Sequence, residues 1–177
     1  MRLSILIASL FERHSLLMRL LGSLAHQADR RLEVLTAIDQ RHWSIGKKRE
    51  HLLCRAHGDY ICYLDDDDTV SDVFVKRILD ALETEPDCVG YWGCIRHGSQ
   101  SKKVHYSKAN TIRTEADVFY RPIWIMNPVR RSIAEQVVFA DVSTCEDRVY
   151  ADQIQPLLKS EVFIDETLYV YHCRHAF

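Results

Sequence analysis

Short apolar runs alternate with stretches of helical periodicity through the first ninety residues of the chain. Leu3 to Ala8 has the length and composition of a buried strand. Leu16, Leu17, Leu20, Leu21 and Leu24 then recur at helical spacing behind Ser15, a candidate N-cap. Leu32 to Ile38 reads as a second strand closed by Asp39, and Ile45 to His57 as a helix that begins with Lys47-Lys48-Arg49. A Gly58-Asp59 turn leads into a third strand, Tyr60 to Leu64. Behind Ser71, another candidate cap, an amphipathic helix carries Val73, Phe74, Ile78, Leu79 and Leu82 and stops before Pro86. Val89 to Trp92 is a fourth strand. This order implies right-handed βαβ units on a central, mostly parallel sheet flanked by helices, an α/β fold of Rossmann-like type.

Beyond this point the pattern weakens. Arg96 to Tyr120 lacks periodicity and reads as loops and short strands, and Asn127-Pro128 as a helix start. Glu146 to Leu158 reads as a helix, and Leu168 to His172 as a last strand. A length of 177 residues fits one compact domain. With 47% hydrophobic residues the chain is expected to fold rather than remain disordered. The net charge of −2 is unevenly spread. Arg96, Lys102, Lys103, Lys108, Arg113, Arg121, Arg130 and Arg131 meet only Glu115 and Asp117 in their stretch, as an anionic ligand or an ordinary solvated face would require.

The six cysteines form no C-x-x-C pair, and read as reduced structural thiols of a cytoplasmic protein. The apolar start, Leu3 to Leu10, is broken too early by Glu12, Arg13 and His14 for a signal peptide, and no stretch approaches a membrane span.

The sharpest chemical signal is Asp65-Asp66-Asp67-Asp68, at the carboxyl end of the third strand, where open α/β sheets place their ligands. Adjacent carboxylates repel unless a positive group lies between them, and Mg²⁺ or Mn²⁺ takes such oxygens together with substrate phosphates. Asp39 ends the second strand, where it either meets a base or ribose or simply closes a turn. Glu146 and Asp147 stand at a helix start, a place the helix dipole favours for carboxylates in any case. His172 and His175 near the end either complete a metal site or lie on the surface.

In order and spacing, LSILIAS, LEVLTAID, SIGKKREHLLCRAHGDYICYLDDDD and TCEDRVYADQI resemble glycosyltransferase family 2, the inverting enzymes of GT-A fold. The resemblance implies a single GT-A domain over residues 1–177, with a nucleotide-sugar half (1–95) and an acceptor and catalytic half (96–177). It makes Asp65 and Asp67 the ends of a D-x-D motif, with Asp67 the first metal ligand and Asp65 its helper. Asp66 then falls near the ribose or sugar, and Asp39 near the base or ribose. Ala8 and Ser9 would offer backbone groups to the nucleotide, with Lys48 and Arg49 as donor contacts. Asp147, with Glu146 beside it, would be the catalytic base, and His172 or His175 a third metal ligand. Glu50 replaces the family's frequent Asn after Arg49, and Gln40-Arg41 follows Asp39 in place of small residues.

The implied reaction is metal-dependent, inverting transfer from a nucleotide-diphosphate sugar, a UDP-sugar first, to an acceptor hydroxyl. The basic segment suggests an anionic acceptor: a phosphorylated sugar, a lipid phosphate or a nucleic acid. Asp65-Asp66-Asp67-Asp68-Thr69 also fits the D-x-D-x-T of haloacid-dehalogenase-type phosphatases, with Asp65 as nucleophile and Asp67 as acid/base. There the motif belongs on a first strand, whereas two strand–helix units precede it here. A nucleotidyltransferase would carry a glycine-rich basic loop where Phe11-Glu12-Arg13-His14 stands. A non-catalytic nucleotide-sugar-binding module remains the third class.

Overall fold

The computed structural model describes residues 2–173. Ten strands and five α-helices are described: β1 (Leu3–Leu10), α1 (His14–Ala25), β2 (Leu32–Asp39), α2 (Ile45–Leu53), β3 (Tyr60–Asp65), β4 (Thr69–Val70), α3 (Phe74–Ala81), β5 (Cys88–His97), β6 (Gln100–Tyr106), β7 (Arg113–Glu115), β8 (Val118–Arg121), β9 (Val129–Arg130), α4 (Arg131–Ala134), α5 (Glu146–Ile154) and β10 (Glu161–His172). The sheet runs β2-β1-β3-β9-β5-β6-β8-β7, with β10 paired to β5 and β4. β1 lies parallel between β2 and β3, and β10 lies parallel to β5.

The central strands are buried on both faces, which is why they read as continuous apolar runs rather than alternating ones. Leu3, Ile5 and Ile7 of β1, with Tyr60, Cys62 and Leu64 of β3, pack under α1 and α3. The residues between them, Leu6, Ile61 and Tyr63, face α2, α4 and α5 on the other side.

Several expectations are corrected. Ser15 does not cap α1, which starts at His14, and Ser71 does not cap α3, which starts at Phe74. Neither helix is capped by the side chain of its own N-cap residue: α1 is held by packing of its apolar face, and in the first turn of α3 the Val75 N–H donates to the Gln27 side chain. Asn127-Pro128 starts no helix. The buried Asn127 side chain instead accepts from the Trp124 N–H and donates to the Val89 carbonyl, joining the chain to β5 ahead of β9. The stretch after Arg96 is a β5–β6 hairpin turned at Gly98, whose φ of 56° suits glycine. Its aromatic and basic side chains disguised the strand alternation. The last strand, β10, is also longer than its sequence suggested, because Glu161 to Ile164 pair with β5 before the register shifts.

Candidate functional site

At the end of β3 the chain turns tightly, the Asp68 N–H donating to the Asp65 carbonyl at 3.2 Å. The turn sends four adjacent carboxylates to four surroundings, and this relieves their mutual repulsion. Asp65 meets Arg49 at 2.8 Å. Asp66, buried, accepts from the Ser9 hydroxyl at 2.5 Å. The Arg13 guanidinium lies between Asp66 (2.5 Å) and Asp67 (2.6 Å), as an ion pair to each without hydrogen-bond alignment. Asp68, also buried, accepts from the Tyr169 hydroxyl and from the His172 N–H. Burial, reinforced by Asp65, pushes the Asp68 carboxyl up to about 7 despite those hydrogen bonds.

Helix α2 answers this acidic run with two consecutive buried cations. Its start is capped by Ser44, whose side chain accepts from the Lys47 N–H. About 100° of helical rotation separates neighbouring side chains, so Lys48 and Arg49 reach different groups. Lys48 Nζ donates to the Ser9 carbonyl at 2.8 Å and pairs with Asp39 at 2.6 Å. Arg49 bridges Asp65 and Glu146, the latter at 2.5 Å. Burial disfavours the charged guanidinium, but Asp65, Glu146 and Asp147 outweigh it and raise its pKa. Asp39 also accepts from the Trp43 N–H at 2.7 Å.

Two concavities meet at the acidic run. A cleft of about 850 Å³ is lined by Ala8, Ser9, Arg13, Trp43, Lys48 and Asp66, among others, with Ser143 at its rim. A neighbouring hollow lined by Asp39, His42 and Trp43 extends it along the edge of β2. A smaller pocket of about 240 Å³ holds Asp65 and Asp147 together with Arg121, Trp124, Tyr169 and Tyr171. Asp147 enters this pocket from the first turn of α5, which follows Cys145 in the left-handed region (φ 62°). The Trp124 indole N–H donates to Asp147 Oδ2 at 3.1 Å and fixes one carboxylate oxygen.

Two carboxylates of the run are placed to take a divalent metal. Asp65 and Asp67 are the more exposed members of the run, with side chains 38% and 23% exposed; each has one oxygen engaged by an arginine, and Asp65 lines the smaller pocket. Among the described residues, no group of three or more His, Cys, Asp or Glu converges to close a site. Two carboxylates with phosphate oxygens completing the shell is a fit for Mg²⁺ or Mn²⁺. His172 lies beside the run, its Nε2 at 3.1 Å from the Thr69 hydroxyl. Burial and the nearby Arg19 and Arg96 lower its pKa, which favours the neutral ring. His175 lies outside the described residues.

The structure therefore gathers Ala8, Ser9, Lys48 and Asp66 around one cleft, Asp39 with Lys48 in the adjoining hollow, and Asp65 with Asp147 around the smaller pocket, while Asp67 lines none of the three. Arg49 and Glu146 line none of them; they form a buried tie between the acidic run and α5. Arg13, Trp124 and Tyr169 joined the site unannounced. Arg13 sits in a segment whose sequence signalled only the end of an apolar run, and Trp124 and Tyr169 approach across the sheet with no local motif.

With the geometry described, comparison with known proteins adds the following. The model of Glycosyl transferase family 2 matches residues 25–138. A search of curated proteins returns no match. Among solved structures, S. aureus TarS in complex with UDP-GlcNAc superposes with a TM-score of 0.75 at 13% identity, covering 100% of this chain and 60% of that one. TarS in complex with UDP gives 0.76 at 15% identity, over 98% and 61%. Likeness at such identity shows the fold, GT-A. The chain spans about 60% of the TarS structures it matches.

Proposed function

The chain belongs to glycosyl transferase family 2, and from that premise we propose that it moves a sugar, with inversion, from a UDP-sugar to an acceptor hydroxyl. One observation carries the reading: the acidic run divides two pockets, Asp66 lining the large cleft and Asp65 the small pocket that holds Asp147. A donor in the first would thus present its anomeric carbon toward a carboxylate in the second. TarS was crystallised with UDP-GlcNAc and with UDP, which supports uracil as the base.

In this reading Asp39, His42 and Trp43 receive the base and ribose. The Ala8 and Ser9 backbone, Lys48 and Arg13 surround the diphosphate. Asp67 and Asp65 would hold Mn²⁺ or Mg²⁺, which when bound neutralises charge on the departing diphosphate. Asp147, oriented by Trp124, takes the proton of the acceptor hydroxyl while that oxygen bonds to the anomeric carbon. The bond from that carbon to the diphosphate oxygen breaks on the opposite face, and one displacement inverts the centre. Glu146, through Arg49, holds the start of α5 at a fixed distance from the acidic run. The free cysteines suit a reducing, cytoplasmic setting. Among the described residues no helix is long and apolar enough to cross a membrane.

Calorimetric titration of UDP, GDP and dTDP, each with and without Mn²⁺, tests the donor site. The expected result is tighter binding of UDP with Mn²⁺, lost in Asp67→Ala. Failure of all three diphosphates to bind would overturn the proposal.

A further inference from the structure

Four of the eight basic residues between Arg96 and Arg131 form ion pairs on their own surface. Arg113 pairs with Glu115, Arg130 with Asp87, Arg131 with Glu135, and Lys102 with Asp117. Arg121, at the end of β8, is different. Its guanidinium donates only to the carbonyls of Arg113 (3.2 Å) and Tyr120 (2.8 Å) and lies 5.1 Å from the Phe119 ring centre. It forms no ion pair among the described residues. It is also half-buried, and burial lowers its pKa without a carboxylate to offset the effect. A guanidinium stays protonated in proteins, and a charge taken out of water is costly until an opposite charge meets it.

Among the described residues, Arg121 is the one cationic side chain lining the pocket that contains Asp65 and Asp147. From this juxtaposition we infer that the acceptor carries an oxyanion, a phosphate ester or a carboxylate, which Arg121 binds while Asp147 faces the acceptor's hydroxyl. The planar fork of a guanidinium matches two oxygens of either group, which fixes orientation as well as position. Without such a cation the pocket's two carboxylates would repel any anionic acceptor. Tyr106, Tyr171 and Trp124 supply the flanking walls on which the uncharged part of the acceptor rests. The inference rests on the transferase reading for the role of the ligand, and on Arg121 itself for its charge.

The test titrates glycerol 3-phosphate, glucuronate and glycerol into the full chain in the presence of saturating UDP and Mn²⁺. The expected result is binding of at least one of the two anions, roughly tenfold or more weaker in Arg121→Gln and partly kept in Arg121→Lys, with no binding of glycerol. Preference for glycerol 3-phosphate identifies a phosphorylated acceptor, and preference for glucuronate a carboxylated one. Equal affinity in wild type and Arg121→Gln, or no binding of either anion, overturns the inference. Urea unfolding of both variants checks that the fold survives, and Arg121→Lys serves if Arg121→Gln does not fold. UDP titration into the same protein reports the donor site separately, so failure of the donor reading is distinguishable from failure of this one.

Discussion

Asp147 and Trp124 touch through a single hydrogen bond, and two substitutions separate their roles. Asp147→Asn keeps the shape and a hydrogen-bonding oxygen but removes the basic carboxylate. UDP binding should be unchanged while transfer falls by about 100-fold or more; full activity would remove Asp147 from the mechanism. Trp124→Phe keeps the aromatic wall and loses only the N–H that holds Asp147 Oδ2. Its kcat should fall by roughly tenfold with the donor KM unchanged, since a carboxylate held only by the Arg148 N–H on its other oxygen is less often aligned. A rise in donor KM alone would place Trp124 in donor binding instead. Asp39 gives a pH-dependent case. Burial pushes its carboxyl up, but Lys48 and the Trp43 N–H outweigh this and hold its pKa below the ordinary 3.8. A carboxyl with a depressed folded pKa stabilises the fold fully above its unfolded value and stops doing so as the pH falls through the folded one. Asp39→Asn should therefore flatten the loss of stability that wild type shows below about pH 4. Urea midpoints measured down the acid limb check this, and parallel curves for the two proteins would refute it.

At the scale of elements, the contact between α2 and the segment before α5 sets the distance from the large cleft to Asp147. Gly46 lies so close to that segment that a Cβ would stand 1.9 Å from the Ala140 carbonyl oxygen. Its N–H donates to Val142, Ser44 donates to Asp141, and the Ile45 N–H donates to Ser143. Gly46→Ala should cost about 1–3 kcal/mol in urea unfolding and lower transfer further by displacing Asp147. Unchanged stability would mean the segment gives way freely. The sequence made β1, β2, β3, the first part of β5 and the helices between them legible because strands buried on both faces must be apolar throughout, and helices behind them must be amphipathic. It made Asp65 to Asp68, Asp39 and Asp147 legible because each stands at the end or start of such an element. It could not reveal that Lys48 and Arg49 diverge to different carboxylates, nor that Arg13 inserts between Asp66 and Asp67. Those contacts join residues far apart in the chain, whose pairing depends on the finished sheet. The β5–β6 hairpin stayed hidden for a related reason: its stability comes from pairing with β10 and from ring contacts such as Trp92 on His105, not from alternation.

The molecule as a whole decides whether residues 1–95 could stand by themselves. β5 pairs along its length with β10, and β4 is held by β10 as well, so both depend on residues after 160. Leu168 and Tyr169 of β10 share a core with Phe74, Ile78 and Tyr91, while Asp68 is held in the acidic turn by Tyr169 and His172. Ser143 completes the rim of the donor cleft. A fragment of residues 1–95 would therefore expose one face of α3 and leave the acidic turn without its anchor. We expect that fragment to melt without a cooperative transition and not to bind UDP. The full chain should unfold in one transition. At a UDP concentration 100 times Kd, with Mn²⁺, ligation adds about 2.7 kcal/mol, which for a chain of this size raises Tm by roughly 5–10 °C. Circular dichroism melts of fragment and full chain, with and without UDP, decide the matter. A cooperative, UDP-stabilised fragment would mean that the two halves fold separately and that β10 only decorates the donor site.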